Sequence, residues 1–202
     1  MDTAVGLVET YLRVNGYFTV VEYPVMELEE RFRTATDLDV LAFRFPGASR
    51  LIPGESSAIS SRHPPFEADP RLEAPADAAD MLVCEVKEGR AEFNRSGRRP
   101  EVLAVALARF GCCSRDAAPE LVADLLASGE AATDGAHRVR LVAFGSTVGE
   151  GPEPYLRIPL GHVVAFLEEW TDAHWPVLRH AQLKDPVLGF FATLAKARDG
   201  GA

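Results

Sequence analysis

Glu85 and Lys87 stand two residues apart at the end of an apolar run, MLVCEVKEG (81–89), where hydrophobic patterning says the interior begins. Side chains alternate across a strand, so Met81, Val83, Glu85 and Lys87 share one face while Leu82, Cys84 and Val86 share the other. A carboxylate and an ammonium therefore project side by side. A second carboxylate, Asp39, opens the run DVLAFRF (39–45). If the two strands are neighbours, Asp39 stands near Glu85. Two carboxylates about 4 Å apart repel by roughly 4 kcal/mol at an effective dielectric near 20. A domain holds only ~5–15 kcal/mol of net stability, so such a pair calls for a cation: Lys87, a bound metal ion, or both. Glu9 lies at the border of an apolar helical stripe, beside Val5 and Leu12, where it can look inward or face water. Asp37 and Glu22 are also within reach, and Asp37 competes with Asp39 for the same role. The competing reading of the whole group is a salt bridge at a strand end with no chemistry.

The elements that must carry these residues are legible in outline. Residues 3–15 read as an amphipathic helix with Val5, Val8, Tyr11 and Leu12 on one side, Asp2 or Thr3 as cap, and Asn15-Gly16 as its close. Residues 17–30 read as a strand, and Pro24 places it at an edge or on a bulge. The run 36–46 is a second strand, apolar on both faces after Asp39 and so covered on both. Residues 46–80 hold six of the fourteen prolines and little periodicity, which predicts an irregular insertion. The strand 81–88 follows. Helices are expected over 99–111, with Pro100 in the first turn and Gly111 as its stop, and over 119–129. Strands follow at 137–146 and 155–160. A helical C-terminal extension at 161–202 has one helix over 161–175 and a last one that starts at Asp185-Pro186 and stops before Gly200. The prediction is a single α/β domain, 1–202, with a mixed central sheet flanked by helices.

The order helix with glutamate, strand, strand opening DLDVLA, and strand ending CEVK, followed by a helix, resembles the PD-(D/E)XK nuclease superfamily, the restriction-endonuclease-like fold. The resemblance spans roughly residues 3–111, with 137–146 supplying the next strand. It implies metal-dependent phosphodiester hydrolysis of nucleic acid, DNA foremost. Asp39 and Glu85 would hold Mg2+, with Mn2+ as a substitute. Lys87 would orient or activate the attacking water, and Glu9 would be the first-helix carboxylate found in many members. The Val86 carbonyl, between the two key residues, would be a further metal ligand, since magnesium takes oxygen donors and keeps several waters. The chain departs from the family's pattern at residue 38, which is Leu rather than Pro, and in the long gap from Asp39 to Glu85.

Charge and composition qualify this reading. The formal net charge is −9, which argues against a protein that coats polyanions, because phosphate affinity comes mainly from lysine and arginine. It leaves room for a local basic strip. GRAEFNRSGRR (89–99) supplies Arg90, Arg95, Arg98 and Arg99 as nucleic-acid contacts, or else as a solvated turn. A non-catalytic protein-interaction module that keeps the fold and uses its acidic surface is the alternative function. The discriminating expectation is that Asp39, Glu85 and Lys87 converge, with the four arginines rimming the same cleft.

Other signals carry less. No run reaches membrane-helix length and the start lacks a signal pattern, so a cytoplasmic location is expected. Cys84, Cys112 and Cys113 form neither a disulfide framework nor a zinc spacing, and read as buried or incidental thiols. The segment GSTVGEG (145–151) lacks the ending of a phosphate loop and reads as a turn. Histidines 63, 137, 162, 174 and 180 show no paired metal spacing, and Ser56, Ser57, Ser60 and Ser61 sit in no nucleophile motif. Phe190 and Phe191 read as core or subunit contact, and the apolar last helix would suit a homodimer or a protein partner.

Overall fold

A computed structural model describes residues 2–28, 32–48, 68–135 and 137–200. One six-stranded mixed sheet organises them. Helix α1 (Thr3–Val14) begins where the Asp2 carboxylate accepts the Ala4 N–H at 2.7 Å. It ends at Gly16, whose φ of 85° is open to glycine at no steric cost. There the Tyr17 N–H reaches back to the Leu12 carbonyl and the Gly16 N–H to that of Arg13, the paired bonds that close many helices. Strands β1 (Phe18–Leu28), β2 (Phe32–Arg44) and β3 (Ala79–Arg90) form an antiparallel meander. The chain then crosses over through α2 (Pro100–Arg109) and α3 (Ala118–Ser128) to β4 (Glu130–Ala132) and β5 (His137–Thr147). Strand β5 runs parallel to β3. Its outer edge is shared by antiparallel β4 and parallel β6 (Leu156–Pro159). Helices α4 (Leu160–Ala173), α5 (Trp175–Leu178) and α6 (Pro186–Asp199) complete the described chain.

The sheet separates two cores. On one face Val8, Tyr11 and Leu12 of α1 pack with Val40, Leu82, Cys84, Val142 and Phe144, and with Val163, Leu167 and Phe191 from α4 and α6. On the other, Leu41, Met81, Val83 and Leu141 meet Leu103 and Leu107 of α2 and Val122 and Leu125 of α3. Full burial of each such aliphatic side chain contributes about 1.5–3 kcal/mol. The alternation expected for β3 holds: Met81 and Val83 enter one core, Leu82, Cys84 and Val86 the other. Pro24 lies on edge strand β1, next to a register shift between Val25 and Met26, so the missing N–H leaves no rung unpaired at the centre of the sheet.

Three elements differ from expectation. Strand β2 starts at Phe32, not 36, because polar Thr34 and Thr36 pair with Met26 and Val25 of the edge strand, where β-branched threonines suit a half-exposed face. Strand β4 is three residues held against β5 after Gly129, too short for a periodic signal. Within the expected insertion, the described part 68–80 is ordered: a 3-10 turn, Pro70–Leu72, leads into β3 at Ala79. Residues 49–67, with His63 and the four serines, lie outside the described residues. Among those described, the chain contains no helix long and apolar enough to cross a membrane. Cys84 and Cys112 are buried and unbridged, and Cys113 is half-buried. Of the two terminal phenylalanines, Phe191 is core and Phe190 is exposed.

Candidate functional site

Strands β2 and β3 pair as far as Val40–Cys84, and there the ladder stops. One step further in this register sets Asp39 opposite Glu85. The Asp39 side chain takes over the role of the ladder: its Oδ2 accepts the Val86 N–H at 2.7 Å. In a strand, a residue's N–H and C=O leave on the same side, so the Val86 carbonyl points to this same open edge. Glu85 is buried, and its Oε1 takes the ammonium of Lys87 and the Asn94 Nδ2 amide, the latter at 2.7 Å. Asp39, Glu85 and Lys87, remote along the chain, thus meet at the mouth of one strand pair.

Burial drives both carboxyl groups above the ordinary carboxylate range. For Asp39, burial outweighs the Val86 N–H and the Lys87 charge, and Asp2 and Asp37 push the same way as burial. For Glu85, burial and the Asp39 charge outweigh the bonds from Lys87 and Asn94. One lysine therefore under-compensates a buried acid and a half-buried one. An open cleft of about 630 Å³ adjoins Asp39, lined by Asp2, Val5, Glu22, Pro24, Asp37, Asp39, Val86, Lys87 and Glu88. Five carboxylates and a single lysine face it. Glu22 lies opposite Asp39 in the β1–β2 register and holds a φ of 50°, a left-handed conformation that costs an ordinary residue about 1–2 kcal/mol.

The other expected residues are placed elsewhere. Glu9 is buried on α1, where its carboxylate is held by Arg13 at 2.6 Å and by the Thr19 hydroxyl at 3.2 Å. Thr19 pairs with Ala42, three residues along β2 from Asp39, or about 10 Å at the strand rise. Glu9 does not join the convergence. None of the four arginines lines the acidic cleft. Arg98 lies over the Tyr155 ring, 5.6 Å from its centroid. Arg99 pairs with Glu27 at 3.0 Å, and Arg90 lies 3.8 Å from Glu92. Arg95 is exposed. The loop 91–99 that carries three of them nevertheless touches Glu85, from the α2 side of the sheet, through Asn94 and Gly97. Gly145 of β5 permits this path, because a Cβ there would run into the backbone of Arg90 and Ala91 as the chain leaves β3. Asn94 was not legible as a site residue, since an asparagine in a turn-rich basic segment reads as turn chemistry.

Among the described residues no three His, Cys, Asp or Glu side chains are grouped to hold a metal ion. The donor set is two carboxylates and one strand-edge carbonyl, which fits magnesium, a cation that retains several of its waters and needs few protein oxygens. It lacks the cysteine and histidine ligands of a structural zinc site. No family model, curated protein or solved structure gives a significant match to this chain.

Proposed function

We propose that the chain is a magnesium-dependent phosphodiesterase acting on nucleic acid, of the PD-(D/E)XK type. The observation that carries this reading is the meeting of Asp39, Glu85 and Lys87 at the end of the β2–β3 ladder, with burial pushing both acids toward protonation despite the lysine beside them. Further support comes from the element order, a glutamate-bearing helix, an antiparallel meander and a crossover to a parallel strand. Asp39, Glu85 and the Val86 carbonyl would hold the ion. When bound, it would lower the pKa of a water and offset charge on the scissile phosphate. Lys87 is a third exposed through its side chain, so its ammonium can reach from Glu85 to a phosphate at the cleft mouth, position the attacking water and counter developing negative charge. The side chain of Asp39 is fixed by the Val86 N–H and needs little reorganisation.

A second reading has its own observation. The cleft is acidic on nearly every side, and Arg98 and Arg99 are engaged with Tyr155 and Glu27 rather than turned toward it. That arrangement suits a non-catalytic module recognising a basic protein segment. Calorimetry with Mg2+ or Mn2+ on wild type and Glu85→Ala, alongside incubation with single- and double-stranded DNA and RNA, separates the two. The nuclease reading expects binding and cleavage lost in the variant. No ion binding and no cleavage of any form would overturn it.

A further inference from the structure

Asn94 sits in the middle of the loop 91–99 and joins that loop to the carboxylate at the centre of the site. Its Nδ2 donates to Glu85 Oε1 at 2.7 Å, and its Oδ1 accepts the Gly97 N–H. Oε1 of Glu85 is thereby committed to two donors, Lys87 and Asn94. Oε2 lies beneath Gly97, where an added Cβ would come within 3.0 Å of it and within 3.2 Å of Asn94 Oδ1. Gly97 is not among the positive-φ glycines, so what it supplies here is space and not backbone conformation. A carboxylate buried this deeply has few orientations left, and two of its constraints come from this loop.

We propose that Asn94 is a positioning residue for the site, clamping the Glu85 carboxylate in the orientation that a divalent cation requires, with Gly97 as the spacer that leaves the clamp room. The inference rests on the reading of Asp39 and Glu85 as metal ligands. Outer partners of this kind orient the ligand itself, and their loss commonly weakens metal affinity by about 10–100-fold. The clamp also ties the site to Arg95, Arg98 and Arg99, which ride on the same nine residues, so a phosphate seated on that loop acts on Glu85 through one side chain.

The test is Mn2+ titration by calorimetry on the intact protein, with thermal melting of the metal-free proteins as a control for folding. Wild type binds. Asn94→Ala binds about tenfold more weakly, and Asn94→Gln, which keeps the amide, stays closer to wild type than alanine does. Gly97→Ala disturbs the clamp from its other side and weakens binding too, which covers the case in which Asn94→Ala fails to fold. If wild type binds while Asn94→Ala and Gly97→Ala bind equally well, or if glutamine is as weak as alanine, the positioning role is overturned and the metal site stands. If wild type itself binds no Mn2+, the metal site falls and the clamp's role falls with it.

Discussion

Strand β3 carries two buried carboxylates, Asp80 near its start and Glu85 five residues later, and the fold treats them in opposite ways. Asp80 is enclosed on the α1 side of the sheet. Arg140 of β5 grips it with two bonds, Nε to Oδ1 at 2.9 Å and Nη2 to Oδ2 at 2.5 Å, and the Tyr17 hydroxyl adds a third at 2.6 Å. Arg140 in turn donates to the Leu72 carbonyl at 2.8 Å, and Arg44, also buried, donates to that of Pro75 at 3.1 Å. Desolvation works against the charge on Arg140, but the bond and charge of Asp80 outweigh it and hold the guanidinium protonated more firmly than usual. At the other end of the strand, two acids share one partly exposed lysine, and burial wins. A buried acid gripped by a guanidinium and a hydroxyl anchors structure. An under-paired one stores a demand for positive charge, and that demand makes the Asp39–Glu85 end the candidate for chemistry.

The contrast can be broken most strongly at Arg140. Arg140→Ala leaves Asp80 buried and without its main partner, and unfolding in urea should show a loss of about 3–5 kcal/mol. A loss below 1 kcal/mol would mean that the cluster is not the anchor described. Next comes Lys87→Ala, expected to lower cleavage by about 10²–10³-fold, comparable to removing a single preorganised donor, while the urea midpoint falls less than in Arg140→Ala because the Glu85 carboxyl, already raised by burial, can take up a proton. Equal loss of activity and stability would place Lys87 with the structural cluster instead. Tyr17→Phe removes one bond to a charged acceptor and should cost about 1.5–3 kcal/mol by the same urea measurement.

The smallest effect has the opposite sign. Because the Glu85 carboxyl titrates above its ordinary value of 4.5, the native state holds that proton more tightly than the unfolded chain does. The resulting stability is full below the ordinary value and is lost as pH rises through the raised one. At neutral pH the Glu85 charge is therefore a cost, and Glu85→Gln should stabilise the metal-free protein. The rise in Tm of the variant over wild type should shrink as pH falls through the raised value and be gone below the ordinary 4.5. Destabilisation at neutral pH would put the two ends of β3 in the same class.

Much of the frame was legible because it rests on local rules. The α1 stripe, the Asn15-Gly16 stop, Pro100 at a helix start and the alternation along 81–87 each follow from periodicity or cap chemistry within a few residues. The short strand β4 and the ordered return at 68–80 were not legible, since both are held by contacts with β5 and α1 rather than by pattern. Within the site, the pairing of Glu85 with Lys87 was readable from a spacing of two. Asn94 was not, because its meeting with Glu85 depends on how the chain turns after β3, across Gly145.

Residue order alone settled that this chain alternates helices and strands around an apolar sheet, and that Asp39, Glu85 and Lys87 sit where strands enter the interior. Only the folded arrangement decided which acids stand together. Register is a long-range property: pairing Val40 with Cys84 brings Asp39 to Glu85, and a one-residue slip would turn one of them to the opposite face. The same is true of compensation. Asp80 and Glu85 look alike in the sequence, and the difference between them is the distance to a guanidinium 60 residues away.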